Sequence, residues 1–321
     1  MIKIIKSRAQ QVVMNKYRAL KGSVTSTGAN DLVVVKQENG TFKATPMQVY
    51  LRVTDGMQPV IAKQTLIVSK IQVGDTESVV CMEIDCNDLK FEETEHSCEL
   101  SSEQIYELKL EHGINASVFL IEELNVRIPF YIYLFDLKDK LIVTDIDGTI
   151  TQSDTIGFFG GNLGLKVHHQ DVNEFFHKAY DNGYKMIYLT ARPIAYQSLT
   201  RKYLFESLTA SDLSHWCLPK NPVFCLPGDV ADAALGDSSK GAEGKTTSLT
   251  NVLSLFTESS NVIVGAYGNN NSDSEAYKNV GIPLNKTFLI DKCSKMINLD
   301  TKEETSYKSQ ALEIDILYPK E

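Results

Sequence analysis

Two aspartates, Asp145 and Asp147, are the residues of this chain whose type and spacing point most directly to chemistry. They follow the apolar run over 141–143 and precede Gly148. Residues two apart on an extended strand point to the same side, and the glycine predicts a turn just beyond them. Both carboxylates are therefore expected at the end of a buried strand. Paired aspartates also occur there simply as turn formers, so the other polar positions have to distinguish a site from a turn.

The reaction that fits this pair is nucleophilic attack on phosphorus. Asp145 would be the nucleophile, and Asp147 would protonate the leaving oxygen and later activate water. The backbone amides of Gly148 and Thr149, in a tight turn, would bind the phosphoryl oxygens. The same reaction needs a hard cation to screen the phosphate dianion, which makes Mg²⁺ the expected cofactor.

Two later segments carry further groups that phosphoryl transfer needs. The apolar run over 186–189 predicts a second buried strand ending at Thr190, whose hydroxyl, with the neighbouring Ala191, extends the expected phosphate-binding group. Lys245 opens a helical pattern over 246–256 and is expected to supply a positive charge. Each feature is weak alone, because a threonine at a strand end usually belongs to a turn and a lysine is usually solvated. Their order behind the aspartate pair favours a site.

A third apolar run, over 261–264, leads into the oxygen-rich segment from Asn269 to Asp273. Carboxylate and amide oxygens are ligands that Mg²⁺ prefers. The sequence therefore predicts a magnesium site made by Asp145, the backbone carbonyl of Asp147 and an oxygen from Asn269 or Asp273. Asn269 is slightly preferred because it lies nearer the strand end, but both residues remain open.

Acids, a hydroxyl, a lysine and an oxygen-rich loop, in this order, form the pattern of the haloacid-dehalogenase-like phosphatases. Dehalogenases themselves lack the second acid, so Asp147 favours phosphoryl chemistry. The pattern predicts an α/β, Rossmann-like catalytic domain over 139–321. The intervals from Thr149 to Thr190 and from there to Lys245 are too short for a large cap. The site is therefore expected to be open, which suits a phosphate presented by a membrane or another macromolecule.

Length and composition limit the alternatives. The 321 residues allow two domains, and the net charge of −9 argues against general nucleic-acid binding. The six cysteines are scattered without a C-x-x-C pair, as is typical of reduced thiols in a cytoplasmic protein. No apolar run reaches the roughly 18 residues that a membrane span needs. The adjacent pair His168-His169 is expected at the surface.

The N-terminal segment over 1–22 predicts an amphipathic, basic helix closed by Gly22. Such a helix is typical of segments that lie in an anionic membrane interface. The residues expected to bind the membrane are Ile2, Lys3, Ile5, Lys6, Val12 and Val13. The alternative, a helix that docks its apolar face on the domain behind it, is equally compatible with the pattern. Phosphatase chemistry favours the membrane, because a lipid phosphate must be reached at a surface.

The region over 23–138 changes to a period of two residues, which is typical of strands. Asn39-Gly40 between two apolar runs indicates a hairpin, and the short strands that follow suggest a β-sandwich. Residues 101–110 predict a short capped helix or turn inserted in it.

The residues from Asp145 to Asp154, D-I-D-G-T-I-T-Q-S-D, resemble the catalytic motif of the lipin family of magnesium-dependent phosphatidate phosphatases. Further similarity covers nearly the whole chain, including the segments 29–43, 100–105, 182–185 and 305–319. The resemblance implies hydrolysis of phosphatidate to diacylglycerol, with the nucleophile at Asp145 and the acid/base at Asp147. Thr190, Lys245 and the Asn269–Asp273 segment would take the supporting roles.

The resemblance also implies the surroundings of the site. It implies an immunoglobulin-like β-domain packed on the phosphatase domain, a membrane-binding N-terminal helix, and peripheral association with the endoplasmic reticulum or nuclear membrane. Two positions depart from the family pattern. Asn270 stands where the family loop G-N-R-x-x-D commonly has arginine. A tryptophan that commonly follows the catalytic motif in the family is missing, with Val167 nearby.

Two other functions remain open from the sequence. A phosphoprotein phosphatase can use the same aspartate chemistry in an open cleft, although the basic N-terminal helix argues against it. The second is a non-catalytic phosphatidate-binding module. The presence of both Asp145 and Asp147 argues against this function. Acyl-chain preference and oligomeric state are not encoded in any recognisable pattern.

Overall fold

The computed structural model of the protein describes residues 24–53, 66–85, 94–121, 126–152, 168–206, 217–226, 238–257 and 261–321. The predicted N-terminal helix, with all of its expected membrane-binding residues, lies outside these ranges. So does the glycine-rich stretch over 153–167. Among the described residues, no helix is both long enough and apolar enough to span a bilayer.

The described elements are numbered in chain order. The strands are β1 Val24–Ala29, β2 Leu32–Lys36, β3 Phe42–Ala44, β4 Met47–Val53, β5 Leu66–Val73, β6 Val79–Asp85, β7 Thr94–Cys98, β8 Gly113–Ile121, β9 Val126–Asp136, β10 Leu141–Asp145, β11 Lys185–Pro193, β12 Val223–Leu226, β13 Ile263–Gly268, β14 Thr287–Ile290, β15 Met296–Asn298 and β16 Glu304–Thr305. The helices are α1 Ser102–Glu107, α2 Val172–Asp181, α3 Gln197–Glu206, α4 Ser238–Leu253, α5 Asn271–Asn279, α6 Tyr307–Leu312 and α7 Ile314–Leu317, with 3₁₀ turns at Ile194–Tyr196 and Leu284–Lys286.

Two sheets form the β-rich half of the described chain. One has the order β3-β2-β9-β8-β5-β6 and the other β1-β4-β7. Apolar side chains of both sheets, such as Leu32, Ile132 and Val49, are buried in one common core. The strand pair β2–β9 is parallel, so the larger sheet is mixed. Its β2–β3 hairpin confirms the predicted turn, where Gly40 takes a positive φ of 84°.

The segment predicted to be a short capped helix or turn forms a helix, α1. Its N-cap is Ser101, whose hydroxyl accepts from the backbone amide of Gln104 while the Gln104 side chain accepts from the Ser101 amide. This reciprocal arrangement is a capping box, which satisfies donors that the first helical turn leaves without partners. The helix buries Ile105 in the core shared by the two sheets.

The third sheet is the frame of the α/β half and has the order β12-β11-β10-β13-β14-β15-β16. The pairs from β12 to β14 are parallel, and β15 and β16 add antiparallel strands at one edge. Every residue of β10 is buried, as expected for a parallel strand covered on both faces. The arrangement is consistent with the predicted Rossmann-like domain. It brings the carboxyl ends of β10, β11 and β13 to one edge.

The two halves share a hydrophobic core. Val33 and Tyr133, on the outward side of β2 and β9, belong to the same buried cluster as Val143 of β10 and Leu249 of α4. The mixed sheet therefore covers part of one face of the third sheet, next to α4. The other face is covered mainly by aromatic residues of α2 and α6, including Phe175 and Tyr307.

Polar side chains between β1 and β2 seal the free edge of β12. The Asn30 amide group accepts from the backbone amide of Cys225 at 2.8 Å and donates to its carbonyl at 2.9 Å. Asp31 accepts from the backbone amide of Val223 at 3.0 Å and from Arg201 at 2.7 Å. These bonds imitate strand pairing, so the β-rich half buttresses the edge next to β11. An unpaired edge would otherwise be exposed to pairing with another chain.

Several sequence-based expectations about the α/β half are wrong in detail. Lys245 lies well inside α4 rather than at the start of its helix. Strand β13 reaches Gly268, and Asp273 is in the first turn of α5 rather than in a loop. His169 is fully buried instead of exposed.

Candidate active site

Asp145 is the last residue of β10 and sits at the centre of the carboxyl edge of the catalytic sheet. Its side chain is buried, although an aspartate carboxylate is rarely buried without partners. The Thr149 hydroxyl donates to its Oδ2 at 3.0 Å, and Lys245 Nζ lies 2.5 Å from its Oδ1. The chain turns immediately after Asp145, and this turn brings Thr149 back towards the strand end.

Lys245 bridges two buried carboxylates. Its Nζ also lies 2.6 Å from Oδ1 of Asp273. The exposed fractions are 2% for Asp145, 3% for Lys245 and 0% for Asp273, so the three charges are almost completely removed from water. Burial alone would lower the pKa of Lys245, but the two neighbouring carboxylates outweigh it and the net pKa is raised. Lys245 is therefore a cation here.

Asp145 and Asp273 share this single cation, which leaves an excess of negative charge in the cluster. Burial, together with the neighbouring Asp273 and Asp147, raises the pKa of Asp145 to about 7 against the lowering effect of Lys245. Desolvation and like-charge repulsion both disfavour the ionised carboxylate. A second positive charge beside Asp145 would remove this cost.

Asp273 is held in place by the start of α5. Its Oδ2 accepts from the backbone amides of Asn269 at 3.0 Å and Asn270 at 3.2 Å. Asn270 is the N-cap of the helix and forms a capping box with Asp273. Asn270 is also the residue that departs from the family loop pattern, and the cap gives it a structural role. A side chain at Gly268 would overlap Asp273, so the close approach of β13 requires glycine. Both oxygens of Asp273 are thus engaged.

The oxygen donors at this edge fit a hard divalent cation. The candidates are the Asp145 carboxylate, the Asp147 carbonyl, and the Asn269 amide oxygen, which accepts from the Asn270 side chain at 2.9 Å. Carboxylate, carbonyl and amide oxygens are the ligand types that Mg²⁺ takes. The excess negative charge around Lys245 fits a cation independently of the ligand types.

Asp147 is paired with Arg192, a residue that sequence analysis did not single out as part of the site. Arg192 Nη2 lies 2.6 Å from Oδ1 of Asp147, and its Nε lies 2.9 Å from Oδ2. This two-pronged contact fixes the carboxylate more strictly than a single bond does. A signal was present in the sequence, because residues two apart on a strand share a side and Thr190 was already a candidate.

The other expected phosphate-binding groups have partners within the protein. The Thr190 hydroxyl donates to Oδ2 of Asp147 at 2.9 Å. The Gly148 amide donates to the Thr151 hydroxyl at 3.0 Å, and the Thr149 amide faces the Ile146 carbonyl at 3.4 Å. The structure thus brings Thr190 to Asp147, and directs the two turn amides into the turn itself.

Ala191 lies where β11 departs from regular pairing. The register with β12 shifts between Thr190 and Pro193, and Ala191 is exposed there. Such irregularities are frequent beside active sites because they redirect side chains. Thr190 and Arg192, on either side of Ala191, both contact the same carboxylate, Asp147.

His169 is a second residue whose position the sequence did not reveal. Its ring contacts the Gly148 carbonyl at 3.2 Å and the Ser294 hydroxyl at 2.7 Å. Burial lowers the pKa of His169, so the neutral ring is favoured. The adjacent His168 pairs with Thr151 in an isolated bridge. Both histidines therefore lie against the turn over 146–151, which follows Asp145 and is called the catalytic turn below.

Comparison with known protein families gives two matches. A family model described as LNS2 (Lipin/Ned1/Smp2) matches residues 96–319, which is more than half of the chain. A model of the lipin N-terminal conserved region matches residues 2–109. Both regions contribute to the mixed sheet, since β2 and β3 lie in the second match and β8 and β9 in the first. The matched regions are thus joined in one core.

Individual curated proteins are also similar to this chain. Human phosphatidate phosphatase LPIN1 is 33% identical over 232 residues, covering 68% of this chain and 25% of the human protein. Phosphatidate phosphatase PAH1 of Arabidopsis thaliana is 29% identical over 227 residues, covering 68% of this chain and 24% of its own length. Phosphatidic acid phosphohydrolase 1 of Saccharomyces cerevisiae is 29% identical over 231 residues. The chain thus matches about a quarter of the length of these relatives.

Proposed function

This chain belongs to the lipin family, and on that premise we propose that it is a Mg²⁺-dependent phosphatidate phosphatase acting at a membrane surface. The observation that carries the proposal is the buried group of Asp145, Lys245 and Asp273, at the strand edge that also presents Asp147. Burying a charged group this deeply is costly, and such groups are concentrated at functional sites. The names of the relatives, which are phosphatidate phosphatases, support the choice of substrate.

In the proposed reaction Asp145 attacks phosphorus and forms an aspartyl phosphate. The bond from phosphorus to the diacylglycerol oxygen breaks, and that oxygen takes a proton from Asp147. In the second half, Asp147 removes a proton from water, whose oxygen attacks the same phosphorus and releases Asp145 and inorganic phosphate. Lys245, Thr190 and Ala191 are the proposed contacts of the phosphoryl oxygens, and contacts from the Gly148 and Thr149 amides would compete with their turn bonds.

For the metal we propose Asp145, the Asp147 carbonyl and Asn269 as ligands. Asp273 is assigned to positioning, because its carboxylate already accepts from Lys245 and two backbone amides, three donors against the two at Asp145. When bound there, Mg²⁺ would screen the negative charge of the phosphate group. Asp273→Asn is then expected to disturb Lys245, whereas Asn269→Ala should weaken binding of Mg²⁺ measured by calorimetry.

We also propose that the two-sheet half is immunoglobulin-like, that the α/β half is haloacid-dehalogenase-like without a large cap, and that the N-terminal segment binds anionic membranes. The proposed location is peripheral, on the endoplasmic reticulum or nuclear membrane. The relatives' substrate supports a membrane location because phosphatidate is a lipid. The basic amphipathic pattern over 2–13 is the sequence feature that supports it.

Deleting residues 1–22 is expected to reduce binding to phosphatidate-containing vesicles, while the rest of the chain stays folded. The physical reason is the loss of an apolar stripe and of several positive charges that anionic lipids attract. Co-sedimentation with vesicles and circular dichroism measure the two effects separately. Loss of folding together with binding would instead support docking of this helix on the domain behind it.

Arg192→Lys is expected to lower kcat by about 10- to 100-fold with little change in KM, part of what general acid–base catalysis contributes. Lysine keeps the charge but cannot make the two-pronged contact that aims the Asp147 carboxylate. Steady-state phosphate release measures the effect. Arg127→Lys is the matched control, because Arg127 is exposed. Equal kcat in both variants would remove Arg192 from the site.

The substrate class is tested by comparing phosphatidate in detergent micelles with phosphopeptides. The proposal expects phosphate release from the lipid and little from the peptides. The reverse order would favour a phosphoprotein phosphatase, which uses the same aspartate chemistry. Binding to phosphatidate vesicles without phosphate release would favour a non-catalytic lipid-binding module.

A further inference from the structure

The backbone of the catalytic turn is held from outside at two consecutive carbonyls. His169 Nε2 lies 3.2 Å from the Gly148 oxygen, and the Tyr307 hydroxyl donates to the Thr149 oxygen at 3.0 Å. Both side chains are buried, and their rings lie 6.4 Å apart. They come from α6 and from the segment before α2, which are far apart in the sequence. Two distant parts of the chain thus converge on one turn.

The direction of the histidine bond is set by chemistry. A carbonyl oxygen only accepts, so the proton of neutral His169 is on Nε2 and its Nδ1 accepts from the Ser294 hydroxyl at 2.7 Å. Ser294 itself is fixed in the loop between β14 and β15. Its backbone amide donates to the Asp291 carbonyl at 3.0 Å, and it takes a positive φ of 66°.

The catalytic turn contains a glycine, so its backbone needs contacts from other residues to fix its conformation. Gly148 has a φ of 88°, and glycine allows a peptide unit to adopt several orientations at little cost. The Gly148 and Thr149 carbonyls belong to the peptide units that follow the Asp147 carbonyl. Their orientation therefore affects where that carbonyl points and where the Thr149 hydroxyl meets Asp145. Misplacement of reacting groups by about 1 Å can cost two orders of magnitude in rate.

We propose that His169, Ser294 and Tyr307 are positioning residues that form a turn clamp, fixing the Gly148 and Thr149 peptide units so that Asp147 and Thr149 are aimed at the reacting phosphate. The inference rests on the proposed phosphatase function for its kinetic consequences. Its structural content, a turn kept rigid by two side-chain donors, can be tested without activity. Ser294 acts one step further away, through His169.

Tyr307→Phe is the most selective probe, because it removes one hydroxyl and leaves the ring in the aromatic core. It is expected to lower kcat for phosphatidate about tenfold with KM unchanged, since turn geometry and not substrate binding is altered. Tyr184→Phe is the matched control. Tyr184 is also buried and donates to a backbone carbonyl, that of Pro319 at 2.9 Å, away from the turn.

Histidine variants separate the bond from packing. His169→Gln places an amide nitrogen near the position of Nε2 and is expected to retain much of kcat. His169→Asn places its amide nearer Nδ1, cannot reach the Gly148 carbonyl, and is expected to lose at least as much as Tyr307→Phe. Ser294→Ala is expected to show a smaller loss. Rescue by glutamine over asparagine is a result that general loss of packing would not produce.

Amide hydrogen exchange of the peptide over 145–152 supplies the second readout. Faster exchange of this peptide in Tyr307→Phe and His169→Asn, with unchanged exchange in Tyr184→Phe, supports the clamp. This result holds even if the wild type releases no phosphate from phosphatidate. Absence of phosphate release overturns the proposed function alone. Unchanged exchange in the turn overturns the clamp. So does a kcat for Tyr307→Phe and His169→Asn no lower than that of Tyr184→Phe.

Discussion

Asp145→Asn is expected to lower phosphate release from phosphatidate by about 10⁴-fold or more, the scale on which loss of a nucleophile acts. The amide has the size of the carboxylate but cannot attack phosphorus. In EDTA the variant should be at least as stable as the wild type, as measured by denaturant unfolding. Burial raises the pKa of Asp145 to about 7, so its ionised form costs the folded state free energy that a neutral amide does not.

The combination of lost activity and retained stability is what identifies a functional carboxylate. Asp139→Asn is a suitable control, because Asp139 lies in the half-buried turn before β10 and away from Lys245. It should leave phosphate release unchanged. Full activity of Asp145→Asn would exclude Asp145 as the nucleophile. A marked loss of stability in EDTA would mean that its charge is needed for folding.

Lys245→Met is expected to lower the free energy of unfolding more than the other substitutions proposed. It leaves Asp145 and Asp273 buried next to each other without the cation that both contact at 2.5 and 2.6 Å. Removing one partner from a buried ionic group typically costs about 3–5 kcal/mol, because the remaining charge is uncompensated. The free energy of unfolding in EDTA should fall by this amount, and phosphate release should be lost.

Mg²⁺ gives this second prediction an internal check. A divalent cation beside Asp145 supplies positive charge, so adding Mg²⁺ should recover part of the lost stability of Lys245→Met. Lys278→Met is the matched control, since Lys278 is exposed on the neighbouring helix α5. Equal stability of the two variants in EDTA would show that the carboxylates do not depend on Lys245.

The catalytic edge was largely predictable from local pattern. Apolar runs that end in polar residues marked β10, β11 and β13, and parallel strands bring their carboxyl ends together. This placed Asp145, Asp147 and Thr190 at one edge before any contact was known. The same reasoning predicted the β2–β3 hairpin, because Asn39-Gly40 is a local signal.

Contacts between distant segments were not predictable in this way. His169 is an ordinary polar residue in the sequence, and its contact with Ser294 is set by packing of separate elements. The spacing of Arg192 from Thr190 is a weak signal, but its pairing with Asp147 is also set by packing. Burial of His169 was missed because a polar pair such as His168-His169 has no periodicity to indicate a face. The hydrogen bonds of Asn30 to the edge of β12 were also not predicted, because its partner Cys225 is far along the chain.

The helix that carries Lys245 shows the limit of periodicity itself. The stretch before it is polar and glycine-containing, which predicts a loop, yet α4 already begins at Ser238. Tertiary contacts override weak local propensity there. Gly244 packs against Leu226 of β12 so closely that a side chain at this position would overlap it. The close approach of helix and strand places the next residue, Lys245, over the carboxyl edge.

Inorganic phosphate released from phosphatidate in detergent micelles, measured with Mg²⁺ and then with EDTA in excess, tests the central claim most directly. The account predicts steady release with Mg²⁺ and none with EDTA, while circular dichroism shows the same folded protein in both conditions. Equal release in EDTA would contradict the metal assignment. Absence of release with Mg²⁺ from folded protein would contradict the proposed function.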